Sequence, residues 1–598
     1  MPSLKGAEII VDYLIAEKVP YLFGLCGHGI LGFLDAVYDR QDAITAVSVH
    51  HESAAGFMAD AYYRVAQRPV ATFTSCGPGS ANLPVAIASA LADSSAFLAI
   101  TGNVPTSQFN RGPFQESGRH YQADFPSVMK PYVKRSFQAT RPEQLPLMMR
   151  QAFSLMTQGR PGPVHLDVPL DVFVEQADVE MPDPALWQAG VSSRSAGDPE
   201  ALERAATLLA SAERPVIVAG HGVELSGASA ALAAFAESLA IPVAHTPLGA
   251  GVIDMRHPFS IGATGRNGTS TSNQATRNAD VILALGTRFD DRSTSAWLPG
   301  YTYRIPPTQL IHVDIDPQEI GRNYPATVGI VGDARLALED LQRRLLPRQQ
   351  EVRANHAAWN EQIATWRQEW EAFIAPQSHA DDEPLHPARV IADLRSALPD
   401  NGIVLSDVGV HHNWLIQRWL AYEPQTVLQS WGFASMGFGV CGALGAKLAA
   451  PQRPVVAVVG DGGFLMNPGI VATAVEYDIP VVWLVWNNIG YCSIRDQQRG
   501  YFGQDRELVT SFRNEQTGAL FSADFAAMAR SMGAEGELVT RPRDLRERLA
   551  AAISSGKPTV LDVRVARDIQ PVATGSWDLP PLPHPEPAFG TAGLYEAW

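Results

Sequence analysis

VVAVVGDGGFLMNPGIVATAVEYDIPVVWLVWNN, residues 455 to 488, decides how this chain folds. The unbroken apolar run Val455 to Val459 predicts a strand buried on both faces, the habit of parallel sheets. Gly460-Asp461-Gly462-Gly463 ends it in a turn where a ligand can approach the backbone closely. Asn467 and Pro468 read as an N-cap and first helical position, with the helix running to about Asp478. A second apolar run, Val481 to Trp486, gives the next strand and stops at Asn487-Asn488. The whole is one βαβ unit with polar groups at the carboxyl ends of both strands, where open α/β sheets bind ligands.

Those polar groups are hard oxygen donors. Asp461 offers a carboxylate, Asn488 an amide oxygen and Gly490 a carbonyl. With two diphosphate oxygens and a water they would complete the octahedron that Mg²⁺ requires. The N–H groups of Gly460, Gly462, Gly463 and Phe464 would hold the diphosphate. GDG, a helix and strand, then NN resembles the thiamine diphosphate fingerprint of the 2-oxoacid decarboxylase and acetolactate synthase group. The resemblance implies three doubly wound α/β domains. They would be an amino-terminal pyrimidine-binding domain (1–190), a central nucleotide-binding domain (198–347) and, after a linker (348–385), a diphosphate-binding domain (386–569). A proline-rich tail (570–598) follows, extended and able to fold over the site or pack on the surface.

Composition narrows the rest. The 598 residues are 46% hydrophobic and 18% charged, as in folded globular domains. A net charge of −16 argues against nucleic-acid or anionic-membrane surfaces. The four cysteines, Cys26, Cys76, Cys441 and Cys492, follow no pairing motif and read as reduced thiols of a cytoplasmic protein. No membrane span or secretion signal is expected, and no short-period repeat is found.

In the first region a short strand, Tyr21 to Leu25, ends at Cys26-Gly27-His28-Gly29, and another ends at His50-His51-Glu52. HHESAAGFMADAYYR resembles the family segment that carries the cofactor glutamate. That makes Glu52 the group that exchanges a proton with N1′ of the aminopyrimidine. The bare residue reads equally as a helix N-terminal acid. SCGPGSAN (Ser75 to Asn82) and FQE (Phe114 to Glu116) resemble the acetolactate synthase branch. There Gly77 would lie by the aminopyrimidine and Gln115 would line the reaction pocket. Ser75 and Cys76 would complete it, with Lys134 at the substrate entrance. His28 stands where that branch usually has glycine, and an imidazole there would serve as an acid or base near neutral pH.

In the middle region GTRFDDR (Gly286 to Arg292) resembles the flavin-binding segment of acetohydroxyacid synthases, so Arg288 is expected on FAD, or on ADP, if the domain is not empty. Trp359, Trp366 and Trp370 recur at helical spacing and are expected as core contacts. In the third region the loop with Val410 and His411 is expected to touch the diphosphate, and Met436 to wedge the two cofactor rings into a bent shape. Gly437-x-Gly439-x-x-Gly442 matches a dinucleotide motif but follows no strand, so it is not read as one. Gly490 and Tyr491 are placed beside the cofactor. Ser493 and Gln497 replace the Met and Trp that set acceptor choice in the synthases, and Ile494 and Arg495 are candidate pocket residues.

The expected activity is that of a carboligase or decarboxylase: a 2-oxo acid is decarboxylated and its acyl unit passed to an acceptor. His28 and the altered segment after Asn488 also allow lyase or hydrolase chemistry on a 1,2-diketone or 2-hydroxyketone. A third reading is a non-catalytic member kept for assembly or flavin binding. In the family the cofactor lies between the first domain of one subunit and the third of its partner, so a homodimer is the expected minimum and a homotetramer the usual form.

Overall fold

The strands of this chain sort into three six-stranded parallel sheets, with helices on their faces. The computed structural model describes residues 2–115, 124–191 and 194–576. The first sheet uses β2 (Tyr21–Gly24), β3 (Thr45–Ser48), β4 (Ala71–Thr74), β5 (Leu98–Asn103), β6 (Arg135–Gln138) and β7 (Val164–Pro169). The middle sheet uses β9 (Pro215–Ala219), β10 (Val243–His245), β11 (Ser260–Ala263), β12 (Val281–Leu285), β13 (Gln309–Asp314) and β14 (Val328–Val331). The third uses β15 (Ile403–Ser406), β16 (Val427–Gln429), β17 (Val455–Gly460), β18 (Val482–Asn487), β19 (Glu535–Val539) and β20 (Thr559–Arg564). Central strands such as β9, β12 and β18 are buried along their whole length, which is why their sequences are apolar without alternation. A short antiparallel pair, β1 (Ser3–Lys5) with β8 (Gln176–Asp178), ties the start of the chain to the end of the first domain. Its partners are too far apart in sequence for local pattern to reveal.

The strand orders locate the ligand sites. The first sheet runs β3-β2-β4-β5-β7-β6 and the third β16-β15-β17-β18-β20-β19. Counted from each sheet's own first strand, these are one and the same order. The middle sheet runs β11-β10-β9-β12-β13-β14, the dinucleotide-binding arrangement. The order reverses between β2 and β4, between β9 and β12, and between β15 and β17. Loops leaving the carboxyl ends of strands that flank a reversal diverge to opposite faces and open a crevice. The segments Cys26–His28, Ser75–Asn82, Gly220–His221, Gly286–Arg288, Asp407–His411 and Gly460–Phe464 all leave strands at these reversals.

The first and third domains meet along two helices, Glu52–Ala66 and Phe438–Ala449. The glycines of the latter explain the approach. A Cβ at Gly445 would overlap the Met58 carbonyl, and one at Gly442 would lie 3.0 Å from Ala61 Cβ. On the same helix a Cβ at Gly439 would lie 2.7 Å from the Asp407 N. The glycine spacing that mimics a dinucleotide motif is therefore a packing face. Phe57 meets Phe438 edge to face at 6.3 Å, and Arg64 lies over the same ring.

One local expectation is corrected. Asp461–Phe464 is one helical turn, and the next helix is Ile470–Glu476 with Gly469 at its N-cap. Asn467 thus caps nothing, and its side-chain oxygen instead accepts from Ser53 Oγ at 3.5 Å, across the domain contact. The segment after the middle domain is largely helical, Gln349–Asn355 and Ala357–Ile374. Trp359 and Trp370 are buried and Trp359 packs edge-on to Trp366, core contacts as their spacing implied. Among the described residues no helix is long and apolar enough to cross a membrane.

Candidate active site

In the third domain the crevice centres on Asp461. Its side chain is 2% exposed. Oδ1 accepts from the Gly462 N–H at 2.8 Å and Oδ2 from the Gly490 N–H at 3.1 Å. Burial lifts the carboxyl to about 6, against the pull of these N–H groups. Asn488 is buried beside it, at the end of β18. Ile489 and Gly490 follow with φ of 61° and 152°, which turns the chain back so that the Gly490 N–H reaches Asp461. Tyr491 stands over Gly462 so closely that a Cβ there would collide with its ring. The Gly462 N–H is engaged by Asp461, leaving the rest of the Gly460–Phe464 backbone for a ligand.

His411 forms the facing wall. It is fully buried, its ring hydrogen-bonds the Asp407 main chain, and burial drives its pKa down to about 3. Its Nε2 is buried with no partner. A Cβ at Gly460 would lie 3.3 Å from His411 Cε1, so the glycine keeps this space clear. Val410, the first residue of its helix, is buried next to it. Among the described residues no group of three or more His, Cys, Asp or Glu could hold a metal. The Asp461 set carries one carboxylate, which is how Mg²⁺ is held when substrate phosphates supply the remaining charge. A Mg–diphosphate headgroup therefore fits the donors present, and a bare metal does not.

The first-domain crevice holds Glu52, 8% exposed as the first residue of its helix. Asn82 Nδ2 donates to Glu52 Oε2 at 2.9 Å, and Oε1 would lie 3.4 Å from a Cβ on Gly79. Gly77 has φ 60°, and a Cβ there would overlap the Gln115 carbonyl. Gln115 has φ 66°, and its side-chain Oε1 is buried without a partner. Glu116 lies outside the described residues. His28 is exposed at the start of a 3₁₀ turn. Ser75 Oγ accepts from the Gly29 N–H at 3.0 Å, so Ser75 positions the His28 loop; Cys76 is buried beneath it. Lys134 does not stand free at an entrance, because its Nζ donates to the carbonyls of Gln158 (2.6 Å) and Arg160 (2.8 Å). Ile494 is exposed on the helix Cys492–Phe502. Arg495 is buried and paired with Asp496 and Asp568, which makes it a clamp on the chain near 568.

Met436 sits on the loop between β16 and the helix Phe438–Ala449, its Cε 3.9 Å from where a Gly463 Cβ would be. Asp407, just past β15, holds this loop and packs against the glycine turn: its carboxylate accepts from the Gly437 N–H at 3.0 and 3.1 Å, and Oδ2 would lie 2.5 Å from a Cβ on Gly463. Asp407 is fully buried, with its carboxyl lifted to about 6 by desolvation. Sequence reading passed over it, and over Asn82. The available signal was a carboxylate one residue beyond the end of a buried strand.

A cavity of about 790 Å³ opens between the first domain and the β9/β12 reversal of the middle domain. Arg160, His221, Gly286, Arg288 and Asp314 are among its lining residues. Gly222 and Gly286 touch backbone to backbone, so neither position has room for a side chain. Arg288 lines the cavity with its guanidinium on the Ala92 carbonyl and 3.6 Å from Asp93, both in the first domain.

These three sites have the arrangement of one enzyme family. Family models match residues 4–123 as the thiamine pyrophosphate enzyme N-terminal TPP binding domain, 202–341 as the central domain and 407–563 as the C-terminal TPP binding domain. The chain belongs to the thiamine pyrophosphate-dependent enzymes. Within them it is acetolactate synthase-like. It is 38% identical to a probable acetolactate synthase large subunit of Methanocaldococcus jannaschii, over 94% of this chain and 92% of that protein. It is 34% identical to the acetolactate synthase large subunit of Parasynechococcus marenigrum, over 98% and 93%. It is 33% identical to acetolactate synthase isozyme 3 large subunit of Escherichia coli, over 92% and 93%.

Proposed function

We propose that this chain is a thiamine diphosphate- and Mg²⁺-dependent carboligase that decarboxylates a 2-oxo acid and transfers the remaining acyl unit to an acceptor carbonyl. The observation that carries the reading is the pairing of a single buried carboxylate, Asp461, with the unpartnered Nε2 of His411 across a glycine-lined gap. Bound thiamine diphosphate supplies a carbon that adds to a carbonyl and takes up the electron pair released when the adjacent C–C bond breaks. Asp461, Asn488 and the Gly490 carbonyl hold the metal. The backbone of Gly460, Gly463 and Phe464, with Val410, His411 and Tyr491, would hold the diphosphate, Gly462 serving to fix Asp461. Glu52, oriented by Asn82, holds the proton that the aminopyrimidine exchanges, with Gly77 and Gln115 alongside. Met436, which reaches toward Gly463, would pack against the bound cofactor, and His28 would move protons at the substrate.

Glu52 and Asp461 each take their hydrogen bonds from their own domain. Large apolar side chains such as Phe114, Leu508 and Val509 are exposed on the loops around them. Both facts support a homodimer, or a tetramer of two, in which the first domain of one copy faces the third domain of another. The middle cavity takes FAD or ADP, whose phosphates suit its arginines. All four cysteines are free, in keeping with a reducing cytoplasm. A second reading, cleavage of a 1,2-diketone or 2-hydroxyketone, draws support from the helix at 492–502. There Gln497 Nε2 donates to the Ser493 carbonyl at 3.1 Å, presenting amide and hydroxyl where the synthases resembled have Met and Trp.

The test is calorimetric titration with thiamine diphosphate and Mg²⁺, followed by product identification from a panel of 2-oxo acids and diketones. Saturable, Mg²⁺-dependent binding and an acyloin or acetohydroxy acid product are expected. Glu52→Gln should abolish turnover while sparing Mg²⁺-dependent binding. Undiminished turnover in that variant defeats the assignment of Glu52. A yellow protein releasing FAD on denaturation separates flavin from ADP.

A further inference from the structure

The loop that carries Met436 is anchored by a residue that also faces the middle cavity. Asp93 is fully buried at the end of a first-domain helix. Its Oδ2 accepts from the Trp431 N–H at 2.8 Å and its Oδ1 from the Gly432 N–H at 2.7 Å. Arg64 Nη2 donates to Asp93 Oδ2 at 3.2 Å, and Arg64 Nη1 reaches the Gln429 carbonyl at 2.6 Å. Arg64 is itself locked to Asp60 by bonds of 2.7 and 3.0 Å. Ser430 Oγ accepts from the Ser435 N–H at 2.9 Å, closing the loop on itself. Residues 429 to 432 therefore take their position from the first domain, and Gly437 takes its own from Asp407. Met436 hangs between the two anchors. Gly432 has no room for a side chain, since a Cβ would lie 2.9 Å from Asp93 Oδ1.

The other side of Asp93 is the cavity wall. Asp93, Trp431 and Arg288 all line the cavity. Arg288 approaches the same Oδ1 that holds Gly432, at 3.6 Å. Arg288 is about a quarter exposed and rests on the Ala92 carbonyl beside Asp93, so an anionic ligand reaches it by replacing these partners, whereas Asp93 and Arg64 are enclosed. A phosphate in the cavity competes for the guanidinium, and a bidentate guanidinium–phosphate pair is among the strong charge-assisted bonds. Once Arg288 swings away, Oδ1 no longer shares its charge between the guanidinium and the Gly432 N–H, and in a buried site the remaining bond strengthens.

We infer that Asp93 is a positioning residue that couples the middle cavity to the Met436 loop: a phosphate-bearing ligand that draws Arg288 off Asp93 tightens the hold of Asp93 on Trp431 and Gly432. The inference rests on the reading of the middle cavity as a nucleotide site. It does not require thiamine diphosphate to be bound.

Hydrogen–deuterium exchange of the full-length protein, free of thiamine diphosphate, tests it with ADP and FAD as probes. Binding is followed in parallel by calorimetry. On saturation with either nucleotide the amides of 429–437 should exchange roughly fivefold more slowly, the change expected when one buried hydrogen bond gains about 1 kcal/mol. Arg288→Met should show the slowed exchange without nucleotide and no further change with it, while Arg288→Lys should respond like wild type. Binding of ADP or FAD with no change at 429–437 overturns the coupling. So does an Arg288→Met protein whose loop exchanges as in the nucleotide-free wild type, and so does failure of both nucleotides to bind at millimolar concentration. A separate titration with thiamine diphosphate and Mg²⁺ in the same protein tells these failures apart from failure of the thiamine reading.

Discussion

Gly463→Ala tests whether the glycine turn and the Met436 loop form one unit. A Cβ at 463 would stand 2.5 Å from Asp407 Oδ2. Ordinary contact requires a retreat of about 1 Å. Asp407 has no room to turn, since it is fully enclosed and a Cβ on neighbouring Gly439 would already lie 2.9 Å from its own Cβ. A shift of that size stretches its bonds to the Gly437 N–H, now 3.0 and 3.1 Å, beyond hydrogen-bonding range. Losing a bond to a buried carboxylate costs about 1.5–3 kcal/mol, and the overpacking itself about 1–3 kcal/mol. A destabilisation of about 3–5 kcal/mol would lower the melting point of the third domain by about 10 °C. With Met436 displaced, affinity for thiamine diphosphate and Mg²⁺ should fall at least tenfold, about 1.4 kcal/mol. Scanning calorimetry of the ligand-free protein and titration calorimetry read the two effects independently. Gly460→Ala, whose Cβ would meet His411 Cε1 at 3.3 Å, is the comparison and should melt close to wild type. If Gly463→Ala also melts and binds like wild type, Asp407 does not fasten the two segments together.

Other perturbations follow from the same geometry. Gly445→Ala places a methyl against the Met58 carbonyl and should force the helices 52–66 and 438–449 apart, seen as a large fall in melting temperature or in soluble yield. Gly500→Ala meets nothing within 4 Å in the helix Cys492–Phe502 and should stabilise by about 0.5–1 kcal/mol in a thermal melt. Burial lifts Glu224 from its ordinary 4.5 to about 7, so the folded protein holds a proton that the unfolded chain releases. Its contribution to stability is therefore lost as pH rises from about 4.5 through 7. Glu224→Gln, which can still accept from the Gln425 N–H, should match wild type near pH 4.5 and exceed it by roughly 3 kcal/mol at pH 8. A difference in melting temperature that does not widen with pH would show that the carboxylate is not penalised by burial.

Much of the fold was legible because it is local. The apolar runs at 216–219, 281–285, 455–459 and 481–486 lie on buried strands, and the glycine turn at 460–463 falls at the carboxyl end of one. Asp461 and Asn488 likewise fall where the local pattern puts them, buried at the carboxyl ends of neighbouring strands. Illegible were features that depend on distant partners. Asn467 was misread because an Asn-Pro pair at a helix start is a strong local cue, and the contact with Ser53 that displaces it spans the two domains. Asp93 looked like any acid ending a helix, since its partners Trp431 and Gly432 lie more than three hundred residues away. Arg288 read as a flavin ligand from its motif. The structure adds the first-domain carboxylate and carbonyl that it already holds.

The common strand order of the first and third sheets explains why the candidate site comes in halves. Equivalent loops in the two domains carry complementary chemistry. The loop after the second strand begins the Glu52 helix in one and carries Met436 in the other. The loop after the third strand is the Gly77 turn in one and the Gly460–Phe464 turn in the other. On the proposed function the acid for the aminopyrimidine, Glu52, stands in one crevice and the carboxylate for the metal, Asp461, in the other. A parallel sheet opens a single crevice at each reversal of strand order, so a cofactor with two chemically distinct ends requires two such sheets facing one another. Two sheets of one architecture meet face to face most simply about a twofold axis. Substitutions that silence Glu52 in one copy and Asp461 in another should therefore complement when the copies are mixed after dissociation. Pure Glu52→Gln and pure Asp461→Asn proteins should be inactive, and their re-associated mixture should regain up to about a quarter of wild-type turnover, the share expected if half of the dimers are mixed and each mixed dimer keeps one of two sites. A mixture as inactive as its components would place both halves of the site in one chain.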